Sequence, residues 1–212
     1  MREWEASGKV EYVMVTNDGR ERSMELLVHL RGIFARQLPK MPQEYIMRMV
    51  FDRRHRTLAA LKDGRVVGGL CHRHFATQRF YEVVFLCVQR SVQENGFGGR
   101  LLSQLKVWAQ REGVDNLLTY ADDSAPKFFE KQGFTREITM PVAQYRDYIK
   151  TYTSSTLMQC YVHPSAPYLE EQSVLRKQQQ YVLTVAQLFY AKSNATYLRE
   201  HQGPIHDAVD VL

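Results

Sequence analysis

The sequence predicts a mixed α/β fold in which a mostly antiparallel sheet is flanked by helices and followed by a long C-terminal helical appendage. Strands are indicated by the alternating residues of KVEYVMV and by the β-branched and aromatic run RFYEVVFLCV. Two apolar segments flank Asp63 and Gly64, which is a strong hairpin signal and makes part of the sheet antiparallel. A later strand–helix–strand–helix order completes a pattern that differs from a doubly wound Rossmann fold.

The first half of the chain is predicted to hold one strand, two helices and the hairpin. The strand covers residues 9–15. The first helix, residues 22–38, carries apolar residues at helical spacing, namely Leu26, Leu27, Leu30, Ile33 and Phe34. The second helix begins at about Pro42, because the fixed φ of proline suits a helix start, and runs to residue 51. The hairpin strands cover residues 56–62 and 65–75.

The second half is predicted to continue with a central strand at residues 79–88 and a Gly-rich turn. A helix at residues 99–113 follows, and Gly113 ends it. Its apolar stripe consists of Leu101, Leu102, Leu105, Trp108 and Ala109. The remaining elements are a strand at 114–121, a short helix within 125–134 that ends at Gly133, and a last strand at 155–162.

The character of the chain changes near Tyr168, where one long helical stretch is predicted to begin and to continue to about residue 201. Three consecutive glutamines break its apolar stripe, so we expect it either to pack on the preceding domain or to reach a partner. The residues after it are typical of the start of a linker. We therefore divide the chain into a domain at residues 1–166 and a C-terminal helical extension at residues 167–212.

Composition is that of an ordinary globular protein: of 212 residues, 44% are apolar and 24% are charged, with a net charge of +5. Three scattered cysteines give no disulfide framework and favour a reducing compartment. The charged N-terminus is unlike a signal peptide, so we expect an intracellular protein. No run approaches the ~18 apolar residues of a membrane span, so we expect no association with a membrane. The Arg-rich stretch at residues 20–73 shows no interleaving of aromatic residues of the kind typical of nucleic-acid binding, and its charges fit a solvated face, so direct nucleic-acid binding is not expected.

The segment VQENGFGGR, residues 92–100, places three glycines directly after the central strand. A Gly-rich turn that opens a helix can cradle a phosphate, because free backbone N–H groups and the positive end of the helix dipole point at the anion. The alternative is a plain strand-to-helix turn. The segment lacks the Gly-Lys-Ser/Thr of a P-loop, and no acidic residue follows at the distance that a dinucleotide fingerprint needs.

The pattern Gln93-x-x-Gly96-x-Gly98 resembles the pyrophosphate loop of the GNAT acetyltransferase superfamily, Q/R-x-x-G-x-G/A. Longer blocks, from about Gly8 to Pro164, resemble the PCAF-type histone acetyltransferases of that superfamily. They are RQLPKMPQEYIMRMVFDRRHRTLAALK, RVVGGLCHRHF, YEVVFLCV, LTYADDSAPKFFEKQGFTREI and YIKTYTSSTLMQC. The resemblance implies the GNAT fold, acetyl-CoA as co-substrate, and lysines of histone tails, above all of histone H3, as acceptors. It also implies a nuclear chromatin regulator that works with the other subunits of a SAGA-like transcription coactivator.

Glu82 is the only acidic residue in the apolar run at residues 79–88. Free lysine has a pKa near ~10.4, so acetyl transfer needs a group that takes the proton of the acceptor. Burial among apolar neighbours raises the pKa of a glutamate toward the range useful to a general base. From the residues alone, an alternative stays open in which Glu82 is solvated and forms an ion pair with an arginine. The resemblance implies that Glu82 is the catalytic general base, acting through a bound water.

The resemblance also implies which residues contact acetyl-CoA: backbone amides that end the central strand, the glycine loop, and the segment after the next strand. They are Leu86, Cys87, Val88, Gln93, Glu94, Asn95, Gly96, Phe97, Gly98, Gly99, Ser124, Ala125, Phe128 and Phe129. Asn95 stands where the family often has a basic residue, which predicts weaker binding of the phosphates. Cys87 is expected to be a small buried hydrophobe, with a role as an acyl-carrying nucleophile as the alternative.

Tyr120, Tyr145 and Tyr148 are the predicted substrate-binding residues. The series that Tyr145 and Tyr148 form with Tyr152 lies where relatives build one wall of the peptide groove, although an aromatic core or surface cluster is an equal alternative.

Cys71, His72 and His74 invite comparison with a metal site. Strand alternation puts the two histidines on one face and the cysteine on the other, so three ligands cannot converge and no metal is predicted.

Two other functions stay open. One is a GNAT acetyltransferase for a small amine or a non-histone protein, although the family-specific blocks argue against a small amine. The other is a non-catalytic scaffold that binds acetyl-CoA or a coactivator partner, which the departures from the family pattern at Asn95, Ser124 and Phe128 keep open.

Overall fold

The computed structural model describes residues 2–123, 125–152, 155–170, 178 and 180–190. The chain divides into two compact units, Met1–Leu169 and Glu170–Leu212. No helix in the described residues is both long and apolar enough to span a membrane.

The strands of the first unit are β1 (Val10–Val15), β2 (His55–Lys62), β3 (Arg65–Phe75), β4 (Phe80–Val88), β5 (Asn116–Asp122) and β6 (Ser155–Tyr161). Its helices are α1 (Arg2–Ala6), α2 (Glu21–Gln37), α3 (Gln43–Phe51), α4 (Phe97–Arg111), α5 (Pro126–Lys131) and α6 (Val142–Tyr145), and a 3₁₀ turn covers Arg90–Val92. The strands and helices predicted for this unit are all present near their expected bounds. The sequence did not predict α1 and α6, because such short helices show no apolar repeat.

The second unit is described only in part. Residues 180–190 are helical, and Thr184 Oγ1 donates a hydrogen bond of 2.9 Å to the carbonyl of Gln180. Residues 168–170 form a turn, so the long helix predicted from about Tyr168 does not yet begin at these three residues. Most of the remaining predicted helix lies outside the described residues, and the division at residue 166 stays a prediction.

The six strands form one sheet in the order β1-β2-β3-β4-β5-β6. Every neighbouring pair is antiparallel except β4 and β5, which are parallel because α4 carries the chain back across the sheet between them. This mostly antiparallel mixed sheet is the one that the sequence predicted.

Helices cover both faces of the sheet, as their apolar stripes require. On one face α2 and α3 bury a cluster that includes Leu30, Ile46 and Phe85. This close contact needs a glycine on β3, since a Cβ at Gly69 would collide with the Leu30 side chain. On the other face α4 packs through Leu101, Leu102, Leu105 and Ala109, while Trp108 of the predicted stripe is only half-buried.

The parallel ladder between β4 and β5 is short. It joins Phe80–Val83 to Asn116–Thr119, and β4 then continues for five residues without a partner on that side. From the same point β5 pairs only with β6. The sheet therefore opens along one edge of β4, directly before the glycine loop.

Candidate active site

Glu82 lies in the middle of β4, on the face that α2 and α3 cover. Side chains alternate along a strand, which puts Glu82 on the same face as Val84, and Val84 packs against the α2–α3 cluster. The ladder to β3 skips Val84, which forms a β-bulge, so Val84 and Phe85 pack on this face one after the other. The bulge redirects the side chains of β4 just beyond Glu82.

Burial raises the pKa of Glu82 to about 7 from an ordinary value of 4.5. The positive charge of Arg73, directly opposite in the ladder, lowers the pKa by a smaller amount. Within the described residues the carboxylate has no hydrogen-bond or ion-pair partner, so the arginine pairing that the sequence left open is not formed there. A carboxylate in this state can accept a proton near neutral pH.

A pair of tyrosines lies close to Glu82. The hydroxyls of Tyr45 on α3 and Tyr152 are hydrogen-bonded to each other. The Tyr45 ring meets Phe85 edge-on at 6.0 Å, and the Tyr152 ring lies 5.5 Å from that of Tyr120. Burial raises the pKa of both hydroxyls, and the negative charge of Glu82 raises it further, so the pair is within electrostatic reach of the carboxylate.

Two cations border the tyrosine pair. The Lys150 ammonium lies 5.7 Å from the centre of the Tyr45 ring and 5.5 Å from that of Tyr152, and the Arg48 guanidinium lies 5.5 Å from the Tyr45 ring. Sequence reasoning missed Tyr45, Arg48 and Lys150. No local pattern signals them, because Tyr45 is 107 positions from its partner.

The open edge of β4 contains the three residues predicted to hold the thioester end of acetyl-CoA. Leu86 and Val88 are half-buried, and Cys87 is buried. Beyond Val83 this edge has no β5 partner, and backbone N–H and C=O groups need partners. An extended ligand can pair with such an edge as an added strand would.

The Cys87 thiol is poorly suited to covalent chemistry. Burial raises its pKa to about 12. A thiol with such a pKa is neutral at physiological pH, and only the thiolate is a strong nucleophile. This favours the expected role of Cys87 as a small buried hydrophobe.

The glycine loop opens helix α4. Gly96 is the N-cap residue with φ of +82°, a left-handed conformation that glycine adopts without strain. Among the described residues no side chain caps the helix, and the backbone N–H groups of Phe97, Gly98 and Gly99 have no acceptor within it. These three donors and the positive end of the helix dipole form a site that suits a phosphate.

The two later glycines also have a packing role. A Cβ at Gly98 would lie 3.2 Å from the Phe128 ring, and a Cβ at Gly99 would lie 3.0 Å from the Gln132 side chain. They therefore let α5 approach the first turn of α4 closely. Phe128 is half-buried at this contact, and Phe129 is buried beside it with the rings 5.3 Å apart.

The other predicted cofactor residues lie around this turn. Gln93 donates a hydrogen bond of 3.2 Å to the Val88 carbonyl, which closes the loop onto the end of β4. Glu94 and Asn95 are exposed, and Ala125 is the half-buried N-cap residue of α5. Ser124 lies outside the described residues.

The three predicted substrate tyrosines all contact one apolar cluster, which lies on one face of β4 and β5. Tyr120 and Tyr145 pack against this cluster, which contains Phe75 and Phe80. Tyr148 is 43% exposed, and its ring meets Phe75 edge-on at 5.7 Å. Of the three, Tyr148 is thus the one most available to a peptide.

The residues considered for a metal are separated by the sheet. Cys71 packs with the α2–α3 cluster, whereas His72 and His74 contact the Tyr81 ring at 4.8 Å. In the described part of the chain, no group of three or more His, Cys, Asp or Glu residues is arranged to hold a metal ion.

The edge of β4 opens, a glycine loop follows, and helix α4 begins without a side-chain cap from the described part of the chain. These features together define a class of fold, and comparison with known proteins shows which family has it. Residues 24–134, just over half of the chain, match the acetyltransferase (GNAT) family. The chain belongs to this family, and the predicted GNAT fold is confirmed.

Within the family the chain is similar to histone acetyltransferases named GCN5. It is 40% identical to that of Oryza sativa subsp. japonica over 177 residues, which are 83% of this chain and 35% of the relative. The chain is also similar to the crystal structure of Tetrahymena GCN5, with 48% sequence identity and a TM-score of 0.71. The matched region is 74% of this chain and 98% of the Tetrahymena chain. The Tetrahymena GCN5 catalytic domain in complex with coenzyme A is also 48% identical, covers 75% and is covered to 96%, with a TM-score of 0.62. The chain thus spans about a third of the rice protein and nearly all of the Tetrahymena domain.

Proposed function

We propose that this chain is the catalytic domain of a histone lysine acetyltransferase, which transfers the acetyl group of acetyl-CoA to a lysine side chain. The observation that carries the proposal is the Glu82 carboxylate, whose pKa is raised to about 7 at the point where β4 and β5 separate. The similarity to GCN5 histone acetyltransferases supports the substrate class.

Glu82 acts as the general base in this proposal. An acceptor lysine enters as an ammonium with a pKa near ~10.4, and the carboxylate removes a proton directly or through a water. The neutral amine then attacks the thioester carbonyl carbon. An amide C–N bond forms and the C–S bond breaks. The coenzyme A thiolate leaves and takes up the second proton, which the nitrogen loses on becoming an amide, while Glu82 releases the first proton to solvent.

In this proposal the thioester pairs with the open edge of β4 along the backbone of Leu86, Cys87 and Val88. A backbone N–H of this segment would stabilise the oxyanion that forms on the thioester oxygen. The uncapped N–H groups of Phe97, Gly98 and Gly99 would bind the pyrophosphate. Direct attack is favoured over an acyl-cysteine, because the Cys87 thiol stays neutral.

The acceptor peptide would lie across the tyrosines and cations beside Glu82. Tyr148 and the Tyr45–Tyr152 pair offer aromatic surface, as a peptide groove requires. We further propose the tail of histone H3 as the preferred substrate, coactivator subunits as partners and the nucleus as the site of action. These extensions rest on the similarity to GCN5 proteins.

One assay tests the proposal. The full chain is incubated with labelled acetyl-CoA and, separately, with histone H3 peptide, histone H4 peptide, spermidine or no acceptor. We expect acetylation of the H3 peptide above all other reactions. Equal or faster acetylation of spermidine would instead indicate a small-amine acetyltransferase. Binding of acetyl-CoA without transfer to any acceptor would indicate a scaffold.

A further inference from the structure

Helix α1 is attached to the first turn of α4 by an ion pair between Glu5 and Arg100. The guanidinium donates two hydrogen bonds to the carboxylate, one from Nε to Oε1 at 2.6 Å and one from Nη2 to Oε2. Such two-bond pairs fix the orientation of both groups as well as their distance. Arg100 is only four residues after the N-cap Gly96, so the pair joins α1 to the turn of α4 whose backbone N–H groups are predicted to bind pyrophosphate.

The surroundings of this pair keep it ordered. The two side chains are only 16% and 18% exposed, unlike most surface ion pairs. A third donor of Arg100, Nη1, bonds to the Leu169 carbonyl at 2.7 Å. The Tyr12 hydroxyl of β1 is hydrogen-bonded to Glu5. Arg100 is thus held by two segments far apart in sequence, and its guanidinium has little freedom to turn toward a ligand.

A second contact joins α1 to the same turn. The Trp4 ring lies 6.4 Å from the ring of Phe97, which is the first residue of α4 and is buried. Trp4 also contacts β2: the ammonium of Lys62, the last residue of that strand, lies 4.3 Å from the centre of the Trp4 ring. A helix of five residues is not stable alone in water, so α1 exists because it docks here.

We propose that α1 is a positioning element for cofactor binding, which acts through Glu5 and Trp4 to hold the first turn of α4 in its phosphate-binding conformation. Arg100 is a positioning residue held by Glu5 and is not a ligand of the phosphates. This inference rests on the proposed function, since it requires acetyl-CoA at the N-terminus of α4. A preorganised set of N–H donors binds an anion more tightly than a mobile set, because the ordering cost is met before binding.

The main rival is that Arg100 contacts the phosphates directly. The two ideas predict opposite effects of Glu5→Gln. If Glu5 positions the turn, its loss weakens acetyl-CoA binding. If Arg100 is a phosphate ligand that Glu5 restrains, the same change frees a cation and binding becomes tighter or stays equal.

The test measures acetyl-CoA dissociation constants by calorimetry for the full-length wild type, Glu5→Gln, Arg100→Gln, the double variant and Trp4→Ala. We expect each single change to weaken binding about fivefold, and the double variant to be no worse than Arg100→Gln, since both remove one interaction. The kcat at saturating acetyl-CoA and the KM for peptide should stay unchanged, while amide hydrogen exchange at residues 97–100 should become faster in the free variants.

Arg79→Gln is the matched control. Arg79 also bonds a carboxylate and a carbonyl, those of Asp115 and Gly113, at the other end of α4. Its loss should leave acetyl-CoA binding unchanged. Unchanged or tighter binding by Glu5→Gln overturns the inference, as does an equal loss of binding in Arg79→Gln. A wild type that binds no acetyl-CoA overturns the proposed function itself and leaves α1 no cofactor to position.

Discussion

The Thr119 hydroxyl on β5 donates a buried hydrogen bond of 3.0 Å to the Val83 carbonyl on β4, at the last residue pair that joins the two strands. Beyond this pair the strands separate and the edge of β4 becomes available. The bond satisfies a carbonyl that would otherwise lie at the start of the gap without a strand partner.

Replacing Thr119 with valine should therefore destabilise the protein. The buried Val83 carbonyl would lose its donor, which costs about 1–3 kcal/mol of unfolding free energy. Urea denaturation of the wild type and the variant measures this difference. Thr119→Ser keeps the hydroxyl and should recover most of the loss; a serine variant as unstable as the valine variant would assign the effect to packing of the methyl group instead.

Glu82→Gln should keep acetyl-CoA binding and lower kcat by about 10²–10⁴-fold, the usual contribution of a general base. The base must be ionised to act, so the wild-type rate should rise with pH up to a plateau above its pKa of about 7, and this limb should be absent from the variant. Glu11→Gln, an exposed glutamate of β1, is the control and should be as active as the wild type. Turnover near that of the wild type in Glu82→Gln would falsify the assignment.

The same variant should be more stable than the wild type at high pH. The folded pKa of Glu82 is about 7 and its ordinary value is 4.5, so the native state favours the protonated acid and loses stability as pH rises between these values. At pH 4 the variant and the wild type should unfold alike. At pH 8 the variant should be more stable by up to about 3 kcal/mol. Thermal unfolding at both pH values measures the difference.

Gly98→Glu should weaken acetyl-CoA binding by well over tenfold, or more than about 1.4 kcal/mol. The change puts a negative charge beside N–H groups that are predicted to bind pyrophosphate. Because any side chain at this position also presses on Phe128, Gly98→Gln is the necessary control: it has the same shape without the charge. If calorimetry gives the two variants equal affinities, the loss comes from packing alone and the loop is a plain turn.

Tyr148→Ala should raise the KM for histone peptide about fivefold and leave the KM for acetyl-CoA unchanged, because its exposed ring is predicted to line the peptide groove. Tyr161→Ala removes another exposed tyrosine, at the end of β6, and serves as the control. Steady-state kinetics with each substrate varied in turn separate the two constants. An equal rise in both variants would remove Tyr148 from the groove.

A chain that ends after Glu170 should acetylate a histone peptide as well as the full chain does. The first compact unit ends at Leu169, whose carbonyl accepts a bond from Arg100. A chain that ends after Ala166 loses this bond and the Tyr168 ring over Lys106, so we expect it to retain activity but to melt at a lower temperature. Loss of cofactor binding in the chain that ends at Glu170 would assign the later residues to the site.

Local patterns were sufficient to predict most of the fold. Residues 22–38 repeat apolar positions with the period of a helix, and residues 9–15 alternate with the period of a strand. Each repeat lies within one element, so a short stretch of sequence is enough to predict it. The glycine loop could be found for the same reason, since Gly96 needs its left-handed φ whatever surrounds it. The helices α1 and α6 were missed because their formation depends on what they dock against.

The sequence by itself determined the order of the elements other than α1 and α6, the family resemblance and the isolated acid Glu82 within an apolar strand. Only the tertiary structure decided which residues surround that acid and that loop. Tyr45 meets Tyr152 across 107 positions, and Glu5 meets Arg100 across 95. Such contacts follow from how the sheet and helices pack. Local periodicity does not predict them, because the free energy that brings distant residues together comes from packing of the whole core.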